Sequence, residues 1–294
     1  MKTSYNVVIP AKNEAENLKK LLPALLINTP PDNIIVVNDG SEDDTQAICL
    51  SHGINLINHP YSMGNGSAIK TGARCAKKDI IVFMDADGQH NPDDIPRLLE
   101  KFNEGYEMVV GARQSHAHAS FARRVANSFY NRFASFMTSY KIEDLTSGFR
   151  AVRARHFRKF LYLLPNGFSY PTTSTMAFFR SGFPVAYVPI VAGKRTGKSH
   201  INVLGDGFRF FLIILKIGAL FSPMRLFLPI SFALFGIGCG YYTYTYSVWS
   251  RFTNMSALLI LASIFIFLMG IISEHISALH YRDINQDQRR TRRE

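Results

Sequence analysis

A chain of 294 residues with 47% hydrophobic and 13% aromatic content is long enough for one substantial domain with an appendage, and its composition excludes a disordered or fibrous protein. The formal net charge of +11 points to an anionic partner, and the apolar C-terminal third turns that expectation towards a lipid surface or phosphorylated substrates. No zinc-finger spacing or aromatic RNA-binding signature supports nucleic acid.

Short apolar runs alternate with helical patterns over the first 110 residues: YNVVIP from Tyr5, NIIVVND from Asn33, INLINH from Ile54, DIIVFMD from Asp79 and YEMVVGA from Tyr106. Rich in β-branched residues and bounded by turn residues, they read as buried strands of a mostly parallel sheet. Glu14 to Leu26, Asp43 to Ser51 and Ser67 to Lys77 read as the helices between them. This alternation predicts a doubly wound, Rossmann-like α/β domain. Ligands of such sheets sit beyond the carboxyl ends of the strands, where the polar clusters AKNE, NDGSEDD and DADGQH fall. Since YNVVIP already reads as a strand, with no basic and apolar leader before it, this domain is expected to stay in the cytoplasm. Cys49, Cys75 and Cys239 form no CxxC pair, which fits a reducing compartment.

From His118 to Tyr140 a helical pattern carries arginines and asparagines, and DLTSGFR, NGFSYPTTST and GKRTGKS follow as polar clusters in less regular chain. Asp206 to Phe221 is apolar but for Asp206, Arg209 and Lys216; the two cations share a helical face, which predicts a helix lying in a membrane interface. Pro223 breaks that pattern. Leu226 to Trp249 and Met255 to Ser273 each suffice to cross a bilayer, which takes roughly 20 apolar residues, and the link SRFTN makes them a hairpin. Five arginines in the tail HYRDINQDQRRTRRE against Arg251 alone in the link predict that both hairpin ends are cytoplasmic. Two helices are a thin anchor, compatible with a homo-oligomer.

Asp85, Asp87 and Gln89 share parity, so on extended chain they project to one side. Two carboxylates and an amide oxygen suit a hard cation, Mg²⁺ or Mn²⁺, completed by substrate phosphates. His90 reads as a turn residue rather than a ligand. Asp39 closes the second strand run, and Glu14 lies just past Pro10 at the end of the first, where a carboxylate can accept bonds from ribose hydroxyls or a base N–H. YSMGNGSAIKTG lacks the glycine directly before Lys70 that a phosphate loop needs, so Gly64 and Gly66 read as a tight turn into a helix. Arg113 follows the fifth strand, Arg124 and Ser128 share a helical face, and Arg195 and Lys198 lie in GKRTGKS. Around a pyrophosphate and a second phosphate, these groups would act as anion clamps.

In their order along the chain, PAKNE, VVNDGSEDDT, MDADGQH, GAR, DLTSGFR and R-T-G-K-S resemble the motifs of family 2 glycosyltransferases of the GT-A fold, of the dolichyl-phosphate mannose synthase and bacterial polyprenyl-phosphate glycosyltransferase type. The resemblance covers roughly residues 4–200, and the hairpin matches members with two membrane helices. It implies a GT-A catalytic domain over 1–200, followed by an interfacial helix region over 201–224, a transmembrane hairpin over 225–274 and a basic tail over 275–294. The activity implied is metal-dependent, inverting transfer from a UDP- or GDP-linked sugar to a polyprenyl phosphate. Asp87 and Gln89, with Asp85 beside them, would hold the metal. Pro10, Glu14, Asp39 and Lys198 would meet the nucleotide-sugar, and Arg113, Arg124 and Ser128 the acceptor phosphate. Arg195 would offset charge on the leaving diphosphate.

Two departures from the family pattern matter. Asn38 stands where the usual DDG has an acid, which leaves the nucleobase open, and FSYPTTST lacks an acid that several relatives use for the sugar. Two alternatives stay open. A glycosyltransferase acting on a glycan should need a general base and, if processive, more membrane helices. A non-catalytic sugar-nucleotide-binding scaffold would have little use for an intact DxDxQ.

Overall fold

The apolar runs fold as expected, into β1 (Tyr5–Ala11), β2 (Ile34–Asn38), β3 (Asn55–Asn58), β4 (Ile80–Phe83) and β5 (Met108–Arg113). The computed structural model describes residues 4–113, 121–167, 169–193, 212, 215, 216, 218–220 and 222–291. These divide into one unit over Met1–Arg132 and Tyr140–Phe208 and a second over Phe133–Ser139 and Arg209–Glu294.

In the first unit, α1 (Ala15–Leu26), α2 (Thr45–Ser51), α3 (Asn65–Cys75) and α4 (Ile95–Asn103) separate these strands. The buried residues of α1, Ala15, Leu18, Leu21, Leu22 and Leu25, recur at the three- and four-residue spacing of one helical face. They pack with Val7, Ile9, Val36 and Val82 in one apolar core. α5 (Phe121–Thr138) fills the predicted 118–140 helix and gives its last residues to the second unit.

The segment after it, read as irregular, is ordered. β6 (Arg150–Arg153), α6 (Ala154–Lys159), α7 (Tyr170–Arg180) and β7 (Val185–Ile190) complete a seven-stranded sheet in the order β3-β2-β1-β4-β6-β5-β7. β6 runs antiparallel between β4 and β5, while the remaining pairs are parallel. Its charged ends hid it in the sequence. α7 was hidden by hydroxyl residues that are buried and satisfied within the helix, Ser174 and Thr175 both donating to the Pro171 carbonyl.

The second unit is a helical hairpin, α8 (Pro223–Trp249) and α9 (Asn254–Thr291). Pro223 occupies the first turn of α8, where its missing N–H costs nothing, so the predicted break is a start. Small residues let the helices approach: a Cβ on Gly238 would lie 3.0 Å from Ile260, and one on Gly270 would lie 2.9 Å from Phe227. Ser231 Oγ donates across the pair to the Ser263 carbonyl at 2.8 Å. Pro223–Trp249 and Asn254–Leu279 are long and apolar enough to cross a membrane, with only 11% and 17% of their apolar windows buried. α9 continues unbroken to Thr291, past the boundary expected at 275. Most of the predicted interfacial helix lies outside the described residues.

Candidate active site

The carboxyl ends of β1, β2, β4 and β5 carry the polar groups singled out in the sequence. Beyond β4, Asp85, Asp87 and Gln89 are half-buried and alternate with buried Ala86, exposed Gly88 and buried His90, on chain that turns instead of running extended as shared parity requires. Gln89 N–H donates to Asp87 Oδ1 at 3.2 Å, and Gly88 takes φ of 72° to make the turn. Among the described residues no three of His, Cys, Asp or Glu converge. In donor chemistry, two carboxylates and an amide oxygen match a Mg²⁺-like ion of the kind that keeps positions for substrate oxygens.

Asp85 lines a cleft together with Asn65, Thr146, Gly148 and residues 169–172. Gly148 is required there: a Cβ would come within 2.2 Å of Asp85 Oδ2. His90 is buried with its ring stacked on Phe149 at 5.1 Å, and its Nδ1 has no partner among the described residues. Burial, working against the pull of Asp87, pushes its pKa down to about 4, so it is neutral at physiological pH.

At the β2 end, Asp39 is fully engaged. Its carboxylate accepts from His59 Nδ1 at 2.7 Å, Ser62 Oγ at 3.0 Å and the N–H groups of Met63 and Gly64, both at 2.8 Å. Burial opposes its ionisation, and these donors more than offset that, holding it below the ordinary carboxylate range. Asp39 thus fastens the 59–64 loop over Gly40, whose φ is +66° and whose added Cβ would meet Ser62 N at 2.7 Å. Glu14 precedes α1 and accepts from Asn17 Nδ2 at 2.6 Å. Pro10 is buried in β1, paired with Val37.

At the β5 end, Arg113 donates through Nε and Nη2 to the two carboxylate oxygens of Asp144, at 2.8 and 3.0 Å, and through Nη2 to Thr146 Oγ1 at 2.6 Å. Asp85 and Asp87 act on the same guanidinium electrostatically. Gly193 N–H donates to the Gln89 carbonyl at 2.9 Å, bringing the start of GKRTGKS to the acidic loop. Arg195, Lys198 and the side chain of Arg124 lie outside the described residues, and Ser128 is exposed on α5. The turn into α3 is closed by main chain: Gly66 and Ser67 N–H donate to the carbonyls of Gly167 and Asn166, in keeping with the rejected phosphate loop.

The sequence profile of glycosyl transferase family 2 matches residues 6–161 of this chain. The chain belongs to that family. A second profile, the GtrB C-terminal hairpin, matches residues 222–279 and covers α8 and most of α9. Among family 2 relatives, polyprenol monophosphomannose synthase of Mycolicibacterium smegmatis is 28% identical over 204 residues, which cover 64% of this chain and 77% of that protein. Undecaprenyl-phosphate 4-deoxy-4-formamido-L-arabinose transferase of Yersinia enterocolitica is 34% identical over 189 residues, 57% of each chain. Glucosyl-3-phosphoglycerate synthase from Mycobacterium tuberculosis, solved with Mn²⁺, UDP and phosphoglyceric acid, superposes with a TM-score of 0.61 at 18% identity over 74% of this chain and 79% of that one. The GT-A fold expected from the motifs is thereby established.

Within this family 2 framework the departure at Asn38 has a physical account. Its Nδ2 donates to Asn58 Oδ1 at 2.9 Å while its Oδ1 accepts from Ser41 N–H at 3.0 Å. A carboxylate would keep the second bond and could regain the first only with the Asn58 amide turned over to present its Nδ2. Asp144 and Thr146 were missed as site residues, although DLTSGFR was recognised as a motif. Nothing local in the sequence pairs Asp144 with an arginine 31 positions earlier.

Proposed function

We propose that this chain transfers a sugar from a nucleotide diphosphate-sugar to a polyprenyl phosphate at the membrane surface. The observation that carries the reading is one chain joining a family 2 catalytic unit to an apolar hairpin of the GtrB type. The names of the two curated relatives, which specify polyprenol or undecaprenyl phosphate, support a lipid phosphate as acceptor. Asp85, Asp87 and Gln89 would hold Mg²⁺ or Mn²⁺. When bound, such an ion supplies Lewis-acid stabilisation of the departing diphosphate.

Glu14 meets the nucleoside of the donor, with Asp39 shaping the loop beside it, and Arg195 and Lys198 take the diphosphate. Arg113, Arg124 and Ser128 orient the acceptor phosphate. Already anionic at neutral pH, that phosphate needs placement and no general base. One of its oxygens bonds to the anomeric carbon as the bond from that carbon to the diphosphate breaks, with inversion. Incubating the full chain with undecaprenyl phosphate and a panel of UDP- and GDP-sugars should yield a lipid-phosphate-linked sugar. Arg124→Ala should lower acceptor kcat/KM roughly ten- to a hundredfold, the worth of a charged hydrogen bond, with nucleotide-sugar KM unchanged. Transfer to a glycan without lipid phosphate, or a defect confined to the nucleotide-sugar, would sink the reading.

The catalytic unit and both chain ends belong on the cytoplasmic face, on the charge asymmetry of the hairpin. In intact cells carrying a chain freed of its own cysteines, Ser250→Cys should react with an impermeant maleimide and Thr291→Cys should not. Labelling at position 291 from outside would overturn this topology.

A further inference from the structure

Among the described residues Arg150 is the largest fully buried side chain, and no carboxylate hydrogen-bonds it. An uncompensated buried cation is costly, so its surroundings are informative. Nη1 donates to the Pro171 carbonyl at 3.0 Å, Ser174 Oγ at 2.8 Å and Thr175 Oγ1 at 3.0 Å, and Nη2 donates to the Ser147 carbonyl. Nε has no partner. These acceptors come from two segments of chain, residues 146–148 ahead of β6 and the first turns of α7. Both segments line the cleft that holds Asp85. Tyr170 makes a second tie between them, its hydroxyl donating to the Gly148 carbonyl at 2.9 Å while its ring lies 5.7 Å from the guanidinium. Asp85 and Asp144 are the acids whose field reaches Arg150.

We propose that Arg150 is a positioning residue that sets the spacing of the two cleft segments and thereby the fit of the donor's sugar beside Asp85. This rests on the donor reading given above. A planar fork reaches acceptors on both segments at once, which a lysine ammonium cannot do. Gly148, which must lack a Cβ to accommodate Asp85, belongs to one of the tethered segments, so a small relaxation there moves the carboxylate as well as the wall.

Arg150→Lys separates this role from plain core stability. The full chain is assayed in detergent micelles with whichever of UDP-glucose, GDP-mannose or the other panel donors the wild type turns over. The KM for that donor should rise about tenfold or more, as slight misplacement of a bound group costs. Inhibition by free UDP or GDP, which carries no sugar, should move less than about twofold, since contacts remote from the change are independent of it. A lower kcat with both constants unmoved is the signature of fewer folded molecules and overturns the proposal, as does a parallel rise in both. Should Arg150→Lys fail to fold, the pair Ser174→Ala and Thr175→Val decides. It removes the α7 hydroxyl acceptors, keeps the guanidinium and should raise the same KM about threefold; an unchanged KM overturns the proposal. A wild-type chain that uses no nucleotide-sugar refutes the donor reading itself, whereas an active wild type with no split between the constants refutes only the role of Arg150.

Discussion

Asp87→Asn is expected to abolish sugar transfer while leaving the chain folded and membrane-bound. The amide keeps the oxygen that accepts from Gln89 N–H, and the side chain is only half-buried, so stability should change by less than about 0.5 kcal/mol. What disappears is the charge. A hard cation held by two carboxylates and an amide depends on that charge, and the electrostatic stabilisation it supplies amounts to several kcal/mol. The rate should fall by roughly three orders of magnitude, at about 1.4 kcal/mol per tenfold. Initial rates across a Mg²⁺ and Mn²⁺ series, with EDTA as the reference and a melting curve as the folding control, give the test. Activity that persists in EDTA, or a fully active Asp87→Asn chain, would remove the metal from the mechanism and Asp87 from its ligands.

The second large effect concerns Asp144. Its carboxylate accepts from Arg113 through three nitrogens, backbone N–H, Nε and Nη2, and from the N–H groups of Thr146 and Ser147. Removing one partner of a buried ion pair costs about 3–5 kcal/mol. Because Asp144 is 10% exposed and Arg113 is 31% exposed, some water reaches the stranded guanidinium, and Asp144→Ala should cost about 3 kcal/mol, the lower end of that range. The pH dependence has a definite sign. Burial raises the Asp144 pKa, but Arg113 and the backbone donors hold it below the ordinary value, which is about 3.9 in an unfolded chain. In acid the unfolded state therefore binds the proton more readily than the folded one, and stability rises with pH. The contribution is complete above the unfolded value and fades as pH falls through the folded one. Unfolding of the full chain in micelles should show a shallower acid limb for Asp144→Ala, with Asp39, Asp43 and Glu107, also depressed, sustaining the remainder. An acid limb as steep as that of the wild type would mean that the pair carries no linked proton.

The parts of this molecule written in short-range pattern were legible. Runs such as NIIVVND and DIIVFMD gave their strands away because a strand buried on both faces is apolar at every position, and the hairpin because two spans lack charge. Asp85, Asp87 and Gln89 stood out because DADGQ is itself a local pattern, although shared parity does not align side chains on a chain that turns at Gly88. What escaped depends on partners distant in sequence. β6 is four residues with arginine at each end, and it is a strand because β4 and β5 leave a gap between them. The hydroxyls of α7 look solvated in the sequence and are buried in the fold, since their bonds run back to the helix's own carbonyls. Asp144 and Arg150 were ordinary charges of a motif until the sheet brought their partners to them.

The joint between α3 and residues 164–167 has a consequence for how this protein can diverge. One side of it is made of main-chain carbonyls, at Leu164, Asn166 and Gly167, which any amino acid supplies. The other side has no such freedom, since a Cβ on Gly64 or Gly66 would lie 2.5 or 2.0 Å from the facing backbone. Mutation therefore meets unequal resistance across the joint. Gly64 and Gly66 are pinned by the backbone that faces them, Leu164 is held by its burial, and Asn166 by the bond its Oδ1 accepts from Lys70 Nζ. At Gly167 an added Cβ meets nothing within 4 Å, and its carbonyl would stay in place to accept from Gly66. A side chain can thus be added two residues ahead of the cleft segment 169–172 without undoing the attachment that holds that segment.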